Sequence, residues 1–500
     1  MAINPVSTSP LLFILLDRNS SDPLQLQIYT QIKDAVLAGR LKPGTKLSAT
    51  RVFAKQLGVS RNTVLAAFEL LRSEDYVVSI QGSGTQITNR LSEDLLLTQG
   101  NPRALSGNAD IVGKTSKLAG YFGMGDHKNR HHIPGMRAFR PGLPEIDEFP
   151  FKLWSRIIGR FWRNPPSGLL SSGEVGGYLP LRQAIASYLG AVRDVRCHAE
   201  QVFITSGAQQ AIDLVARTII DPGDHVWVEN PGYEGLYSAL RAAGAIVNHI
   251  SVDDEGICVK EGIAKAESAV LAAVTPSHQY PLGITMSLKR RLELLEWADA
   301  SNAWLLEDDF DSEYRYRGKP LSALQGLDQT NRVIYIGTFS KVLFASLRLG
   351  YVVVPDSLVD AISNIRLAVD DYPSLALQPA LSTFISEGHF SSHIRKMRKL
   401  YAERQEILLA ALKSEAEGLL SAKMSDSGMH LVSKLDPSSG IDDKTASQRA
   451  KMVGLNAPAL SDYCTNISRP DALILGYAGL SEHEISRDVK RLAKVLRSTQ

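Results

Sequence analysis

Five hundred residues are too many for one ordinary domain, so at least two are expected. The chain is 44% apolar and 22% charged, and its three cysteines, Cys197, Cys258 and Cys464, are odd in number and widely spaced; this excludes a disulfide scaffold and shows no metal-ligand spacing. The net charge of +2 is unevenly spread, with ten Lys or Arg against six Asp or Glu in residues 1–90, a bias that permits nucleic-acid binding there.

The apolar run Leu11 to Leu16 is too short for a membrane span and lacks a basic leader, so neither a signal peptide nor a membrane segment is expected. Reduced thiols and no membrane stretch give a cytoplasmic expectation.

Asp22-Pro23 opens a helical pattern, with Leu24, Ile28, Ile32, Ala35 and Val36 on one face until Gly39. After the turn Leu41-Lys42-Pro43-Gly44, Ser48 is expected to cap a second helix, Ala49 to Leu57, which stops at Gly58. Ser60 is expected to cap a third, Arg61 to Leu71, with Val64, Ala67, Phe68 and Leu71 inward. Tyr76 to Ile80 and Thr85 to Thr88 read as strands about the turn at Gln81-Gly82-Ser83-Gly84. Three helices and a two-stranded wing make a winged helix-turn-helix. In that geometry Ser60, Arg61, Asn62 and Thr63 open the recognition helix and reach base edges, Arg51 holds a phosphate, and Gln81 and Gly82 approach the minor groove. SRNT alone would be only a capped helix start.

The segment resembles the GntR family of DNA-binding domains. The matching residues are PLQLQIYTQIKDAVLAGRLKPGTKL, FAKQLGVSRNTVLAAFELL and YVVSIQGSGT. Ser48-Ala49-Thr50 departs from the family's usual Pro-Ser-Ser, while Arg51 is retained.

Residues 91–136 lose apolar periodicity and read as a flexible linker. His127, His131 and His132 within it read as solvated linker histidines, not a metal site.

Residues 137–500 alternate strand and helix, which predicts an α/β domain with a mostly parallel sheet. Strands are expected at Val202–Thr205, His225–Glu229, Ile246–Ile250, Val270–Thr275, Trp304–Glu307, Val333–Ile336 and Leu349–Val354. Polar residues gather at the strands' carboxyl ends, where open α/β sheets place their sites. Ser206-Gly207-Ala208-Gln209 precedes a helix and could present backbone N–H groups to a phosphate. Tyr233 offers a flat face to a heteroaromatic ring, His278 follows another strand, and Asp308 could pair with a protonated ring nitrogen. Lys341, beyond a buried strand and beside Thr338 and Ser340, suits an amine that attacks an aldehyde; Arg348, with Thr338, adds charge-assisted contacts to the phosphate. Each has a bland counterpart: a helix cap, a turn aromatic, a carboxylate paired with Arg315, a surface lysine. In this order they converge on pyridoxal 5′-phosphate.

From about Arg140 onward the chain resembles fold-type I aminotransferases, and the whole resembles the MocR subfamily of GntR regulators. The motifs are FRPGLPEIDEFPFKLW, GGYLPLRQAIASYL, ITSGAQQAIDLVAR, VENPGY, TPSHQYPLG, LLEDDFDSEYRY and GTFSKVLFASLRLGY. The resemblance implies a fold-type I transferase-like domain with a smaller C-terminal α+β subdomain. It implies a cofactor imine at Lys341, a pyridine-nitrogen contact at Asp308 and ring stacking at Tyr233. It also implies a homodimer that binds promoter DNA and senses the cofactor itself or an amine that condenses with it. The alternative is a working aminotransferase tethered to a DNA-binding domain. Phe310 stands where relatives have a tyrosine that meets the cofactor's phenolic oxygen, and Ser172 near a tyrosine that helps hold phosphate. Glu234-Gly235 and Ala472-Leu473-Ile474 occupy the places of carboxylate-binding arginines; Arg469 is the nearest candidate for the second.

Overall fold

The structure, a computed structural model, describes residues 14–18, 20–80, 84–88, 137–318, 321–467 and 469–498, without the side chains of residues 168 and 171. Gln81, Gly82 and the linker with His127, His131 and His132 lie outside the described residues. The chain divides into two compact units, Met1–Thr115 and Ser116–Gln500.

In the first unit, α1 (Leu24–Leu37), α2 (Thr50–Leu57) and α3 (Arg61–Ser73) precede a hairpin of β1 (Val77–Ile80) and β2 (Gly84–Ile87). The inner stripes named above meet: Ile28 and Ile32 of α1, Phe53 of α2, and Val64, Phe68 and Leu71 of α3 are buried together. Each such side chain contributes roughly 1.5–3 kcal/mol of transfer free energy, an upper figure. Gly58 ends α2 in the left-handed region, at φ 64°. The Ser60 hydroxyl accepts from the Thr63 amide at 3.1 Å, so α3 begins on a side-chain cap. The expected cap at Ser48 is corrected. The helix starts at Thr50 and its cap is Ala49, which has no side-chain acceptor to offer.

The second unit carries an eight-stranded sheet. Its strands are β3 (Val202–Thr205), β4 (His225–Asn230), β5 (Ile246–Asp253), β6 (Gly256–Ile257), β7 (Leu271–Val274), β8 (Trp304–Asp309), β9 (Val333–Thr338) and β10 (Gly350–Val353). Their spatial order is β3-β10-β9-β8-β7-β4-β5-β6. The run from β9 through β8, β7 and β4 to β5 is parallel, while β10 is antiparallel to both its neighbours. VFIT, LAAV and VIYIGT are buried along their whole lengths, as strands covered on both faces must be. Strand β5 runs on to Asp253, beyond the expected Ile250, because its end forms a hairpin with β6. Strand β9 continues to Thr338, pairing with β10 there.

Helices α4 (Ala208–Ile219), α5 (Glu234–Ala242) and α6 (Leu288–Ala300) are among those that cover the sheet. A smaller antiparallel sheet follows, of β11 (Leu420–Ala422), β12 (His430–Leu435) and β13 (Ala472–Gly476). Helices α7 (His389–Glu415) and α8 (Glu482–Arg497) share its core through Leu408, Leu431, Leu473, Leu475 and Leu492. Among the described residues no helix is long and apolar enough to cross a membrane.

Candidate functional site

On the first unit the start of α3 is open to solvent. Arg61 and Asn62 are exposed, and Thr63 is tied to Ser60 through both its amide and its hydroxyl, the latter at 2.8 Å. Arg51 is exposed on the first turn of α2. Arg18, not singled out in the sequence, donates to the Gly58 carbonyl at 2.7 Å and fastens the preceding segment to the α2–α3 turn. The result is a rigid helix start with a guanidinium and a carboxamide projecting from it, a geometry suited to base edges and phosphates.

On the second unit the carboxyl ends of β3, β4, β7, β8 and β9 bring the predicted residues together. Gly207 stands between β3 and α4 at φ 114°, a conformation that side chains rarely adopt. A Cβ at Gly207 would lie 3.7 Å from the Arg348 guanidinium, so that cation sits over the bare backbone at the start of α4. Helix geometry leaves the first-turn N–H groups of Ala208 and Gln209 without intrahelical acceptors. Arg348 itself is exposed and adopts φ 51°. Thr338 is buried at the end of β9, where its hydroxyl accepts from the Ser340 amide at 3.2 Å. The Ser340 hydroxyl is buried with no partner. N–H groups, an arginine and an unpartnered hydroxyl form a corner that could hold a phosphate.

Lys341 follows immediately. Its ammonium donates to the Gly142 carbonyl at 3.2 Å, and Gly142, at φ 65°, has no Cβ because one would stand 2.8 Å from that nitrogen. Burial and the neighbouring Arg140 lower the lysine's pKa, against the pull of Asp311 and Asp308. Asp308 answers it. Burial first, then the charges of Asp309, Glu229 and Asp311, push its pKa up to about 7, and its Oδ1 is buried with no hydrogen-bond partner. Among the described residues this carboxyl oxygen lacks a cation or a donor, which a protonated ring nitrogen could supply.

Aromatic surfaces complete the enclosure. Tyr233, part-exposed, donates to the Gln209 side chain at 3.1 Å; its ring lies edge-on to Tyr280, with centroids 6.4 Å apart. Gln209 also donates to the Gly235 carbonyl at 2.9 Å, which locks α4 to α5. His278 and Asp311 form a buried pair at 3.0 Å. Phe310 packs against that imidazole at 5.9 Å and against Tyr280 at 5.7 Å. Phe310 thus fills its place with a ring and no hydroxyl. Ser172 is exposed. Arg469 donates to the Val252 carbonyl and lines a cavity that His430 also lines.

Several residues at this site were not singled out from the sequence. Arg140 and Gly142 lie within FRPGLP, and a glycine two residues after an arginine is too common a pattern to signal contact with a lysine some two hundred positions on. Tyr280 and Asp311 sit beside residues that were named, and only the fold shows which way each ring and carboxylate pairs.

A DNA-reading winged helix joined to a lysine-bearing aminotransferase fold defines a class, the cofactor-dependent transcriptional regulators. Comparison with known proteins gives the family. Residues 24–87 match the bacterial regulatory proteins of the gntR family, and residues 164–492 match aminotransferase class I and II. The chain is 39% identical to the probable rhizopine catabolism regulatory protein MocR of Rhizobium meliloti, over 96% of this chain and 95% of that one. It is 30% identical to the pyridoxine biosynthesis transcriptional regulator PdxR of Corynebacterium glutamicum, over 94% and 95%. Among solved structures it resembles LysN, the α-aminoadipate aminotransferase of Thermus thermophilus, complexed with N-(5′-phosphopyridoxyl)-L-leucine. The TM-score is 0.69 and the identity 27%, covering 77% of this chain and 97% of that one. Pyrococcus horikoshii kynurenine aminotransferase, solved with PMP, matches with a TM-score of 0.67 and 26% identity, over 80% and 98%. The chain belongs to the MocR-type GntR regulators: it is a DNA-binding transcriptional regulator that depends on pyridoxal 5′-phosphate.

Proposed function

We propose that Lys341 is the side chain to which the cofactor is joined, and that the signal is either the cofactor itself or an amine that reacts at its aldehyde carbon. The observation that carries this reading is the pairing of a lysine held toward its neutral form with Asp308, a carboxylate whose buried oxygen has no partner. The cofactor supplies an electrophilic carbon that takes up primary amines. The chain supplies the rest. Gly207, Ala208, Gln209, Thr338, Ser340 and Arg348 hold the phosphate, Tyr233 covers the ring, and Asp308 keeps the ring nitrogen protonated. His278, paired with Asp311 and packed against the Phe310 ring, also contacts the cofactor.

On this reading residues 1–90 read promoter DNA through Arg51, Ser60, Arg61, Asn62, Thr63, Gln81 and Gly82. Residues 91–136 connect, and residues 137–500 sense, in a cytoplasmic homodimer. Effector binding changes DNA occupancy only to the extent that it favours one arrangement of the protein over another. The test is absorbance of the cofactor-loaded protein, run beside promoter binding with candidate amines. Lys341→Ala removes the absorbance of covalently held cofactor and the response to amines. A variant with an unchanged spectrum and response would refute the assignment.

A further inference from the structure

A cavity of about 800 Å³ in the Ser116–Gln500 unit opens between the small sheet and the loop Pro281–Thr285. Lys341, Asp308, Tyr233 and Arg348 are not among its lining residues. Its size falls within the roughly 300–1,000 Å³ of small-molecule sites. Pro281, Leu460 and Ala472 give it a buried, largely apolar floor. Arg469 stands in the wall, half-buried, and among the described residues its guanidinium makes one hydrogen bond, to the Val252 carbonyl. Lys423 and Lys434 are exposed at the mouth, and among the described residues neither has a hydrogen-bond or ion-pair partner. Asp254 and Asp426 share the mouth but are exposed, where water screens them; the charge set deeper is the arginine.

An arginine with donors to spare above an apolar floor is a carboxylate receptor. The cavity also touches the cofactor site. His430 lines it, and its ring lies 5.3 Å from His278 and 5.5 Å from Tyr280. A molecule seated here would press on the same rings that pack beside Phe310. Near Lys341, by contrast, Glu234 and Gly235 occupy one of the places where a carboxylate-binding arginine would be sought.

We propose that this cavity binds a small organic carboxylate non-covalently, as an input separate from amine chemistry at Lys341. The test is calorimetric titration of glutarate, which has no amine, into the full-length cofactor-loaded protein. Glutarate is expected to bind the wild type and Lys341→Ala alike. Arg469→Gln is expected to weaken it about tenfold, the effect of losing one charge-assisted hydrogen bond. Lys434→Glu, at an exposed strand position, is expected to weaken it as well, and keeps the test valid should Arg469→Gln fail to fold. Absence of binding up to roughly 10 mM overturns the proposal. So does unchanged affinity in both cavity variants, or loss of binding in Lys341→Ala, which would place the anion in the cofactor site.

Discussion

Asp308→Asn should move stability and cofactor affinity in opposite directions. In the cofactor-free protein the Asp308 carboxyl is held up to about 7 from an ordinary value of 3.8, chiefly by burial and then by Asp309 and Glu229. A group whose pKa is higher folded than unfolded contributes stability below its unfolded pKa and loses it as pH rises through the folded value. Ionised Asp308 therefore destabilises the cofactor-free protein above neutrality. The shift of about three units corresponds to ~4 kcal/mol if the group were fully desolvated. The side chain is partly open to the site, so about 1–3 kcal/mol is the realistic gain on neutralising it. Urea unfolding of the cofactor-free protein should show the variant more stable than wild type at pH 8, with about half of the advantage left at pH 5.5 and most of it gone near pH 4. Cofactor binding should weaken, because the charge-assisted bond to the ring nitrogen is worth roughly 1.5–3 kcal/mol, or ten- to a hundredfold in affinity. A variant less stable than wild type at pH 8 without cofactor, or one that binds cofactor equally well, would refute the reasoning.

Other substitutions probe the remaining interactions. Gly142→Ala places a methyl group 2.8 Å from the Lys341 nitrogen and forces an unfavourable φ; spectral titration should show slower and weaker covalent uptake of cofactor, with promoter affinity in its absence retained. Arg61→Ala should weaken promoter binding and flatten its dependence on salt, by about one unit of log–log slope if the guanidinium neutralises one phosphate, read by gel shift at several ionic strengths. Ser60→Ala removes the hydroxyl that caps α3 and should lower the stability of the first unit by about 1 kcal/mol in thermal unfolding, with little change in the cofactor spectrum.

The fold is legible in the sequence wherever periodicity is strong. The inner faces of α1 and α3 and the buried runs of β3, β7 and β9 are readable because burial demands unbroken apolar patterns. The start of α2 is not, because Ser48 is a good cap by type, and only backbone geometry shows Ala49 in that place. At the site, Lys341 and Asp308 can be named from their positions at strand ends. Gly142 cannot, since its positive φ and its approach to a lysine nitrogen far along the chain are visible only in the fold. Arg469 is the nearest sequence candidate for a clamp beside the cofactor; that its guanidinium meets the Val252 carbonyl is visible only in the folded chain, since the two residues lie far apart in sequence.

The carboxylates around the site explain why a body of this kind can register its cofactor. Glu229, Glu307, Asp308 and Glu313 are each pushed up to about 7, with burial the leading cause. Arg193 offsets part of this through its ion pair with Asp309 at 2.9 Å, yet Glu229 and Asp308 each keep a buried oxygen without a partner. The site thus holds buried carboxyl groups that burial favours in their neutral form and whose hydrogen-bonding capacity is incompletely met among the described residues. A cationic ring nitrogen beside Asp308, as proposed, would meet one of these oxygens. Such a contact shifts a population to the extent that it is made in some conformations and not in others. At a hundred times its dissociation constant the cofactor would favour those conformations by about 2.7 kcal/mol, roughly a hundredfold. Filling Asp308's unmet bond from within the protein, by a lysine or arginine introduced beside it, should then fix the body in one state and leave DNA binding indifferent to the cofactor. Gel-shift titrations of such a variant with and without cofactor check this, and a cofactor response equal to that of wild type would contradict it.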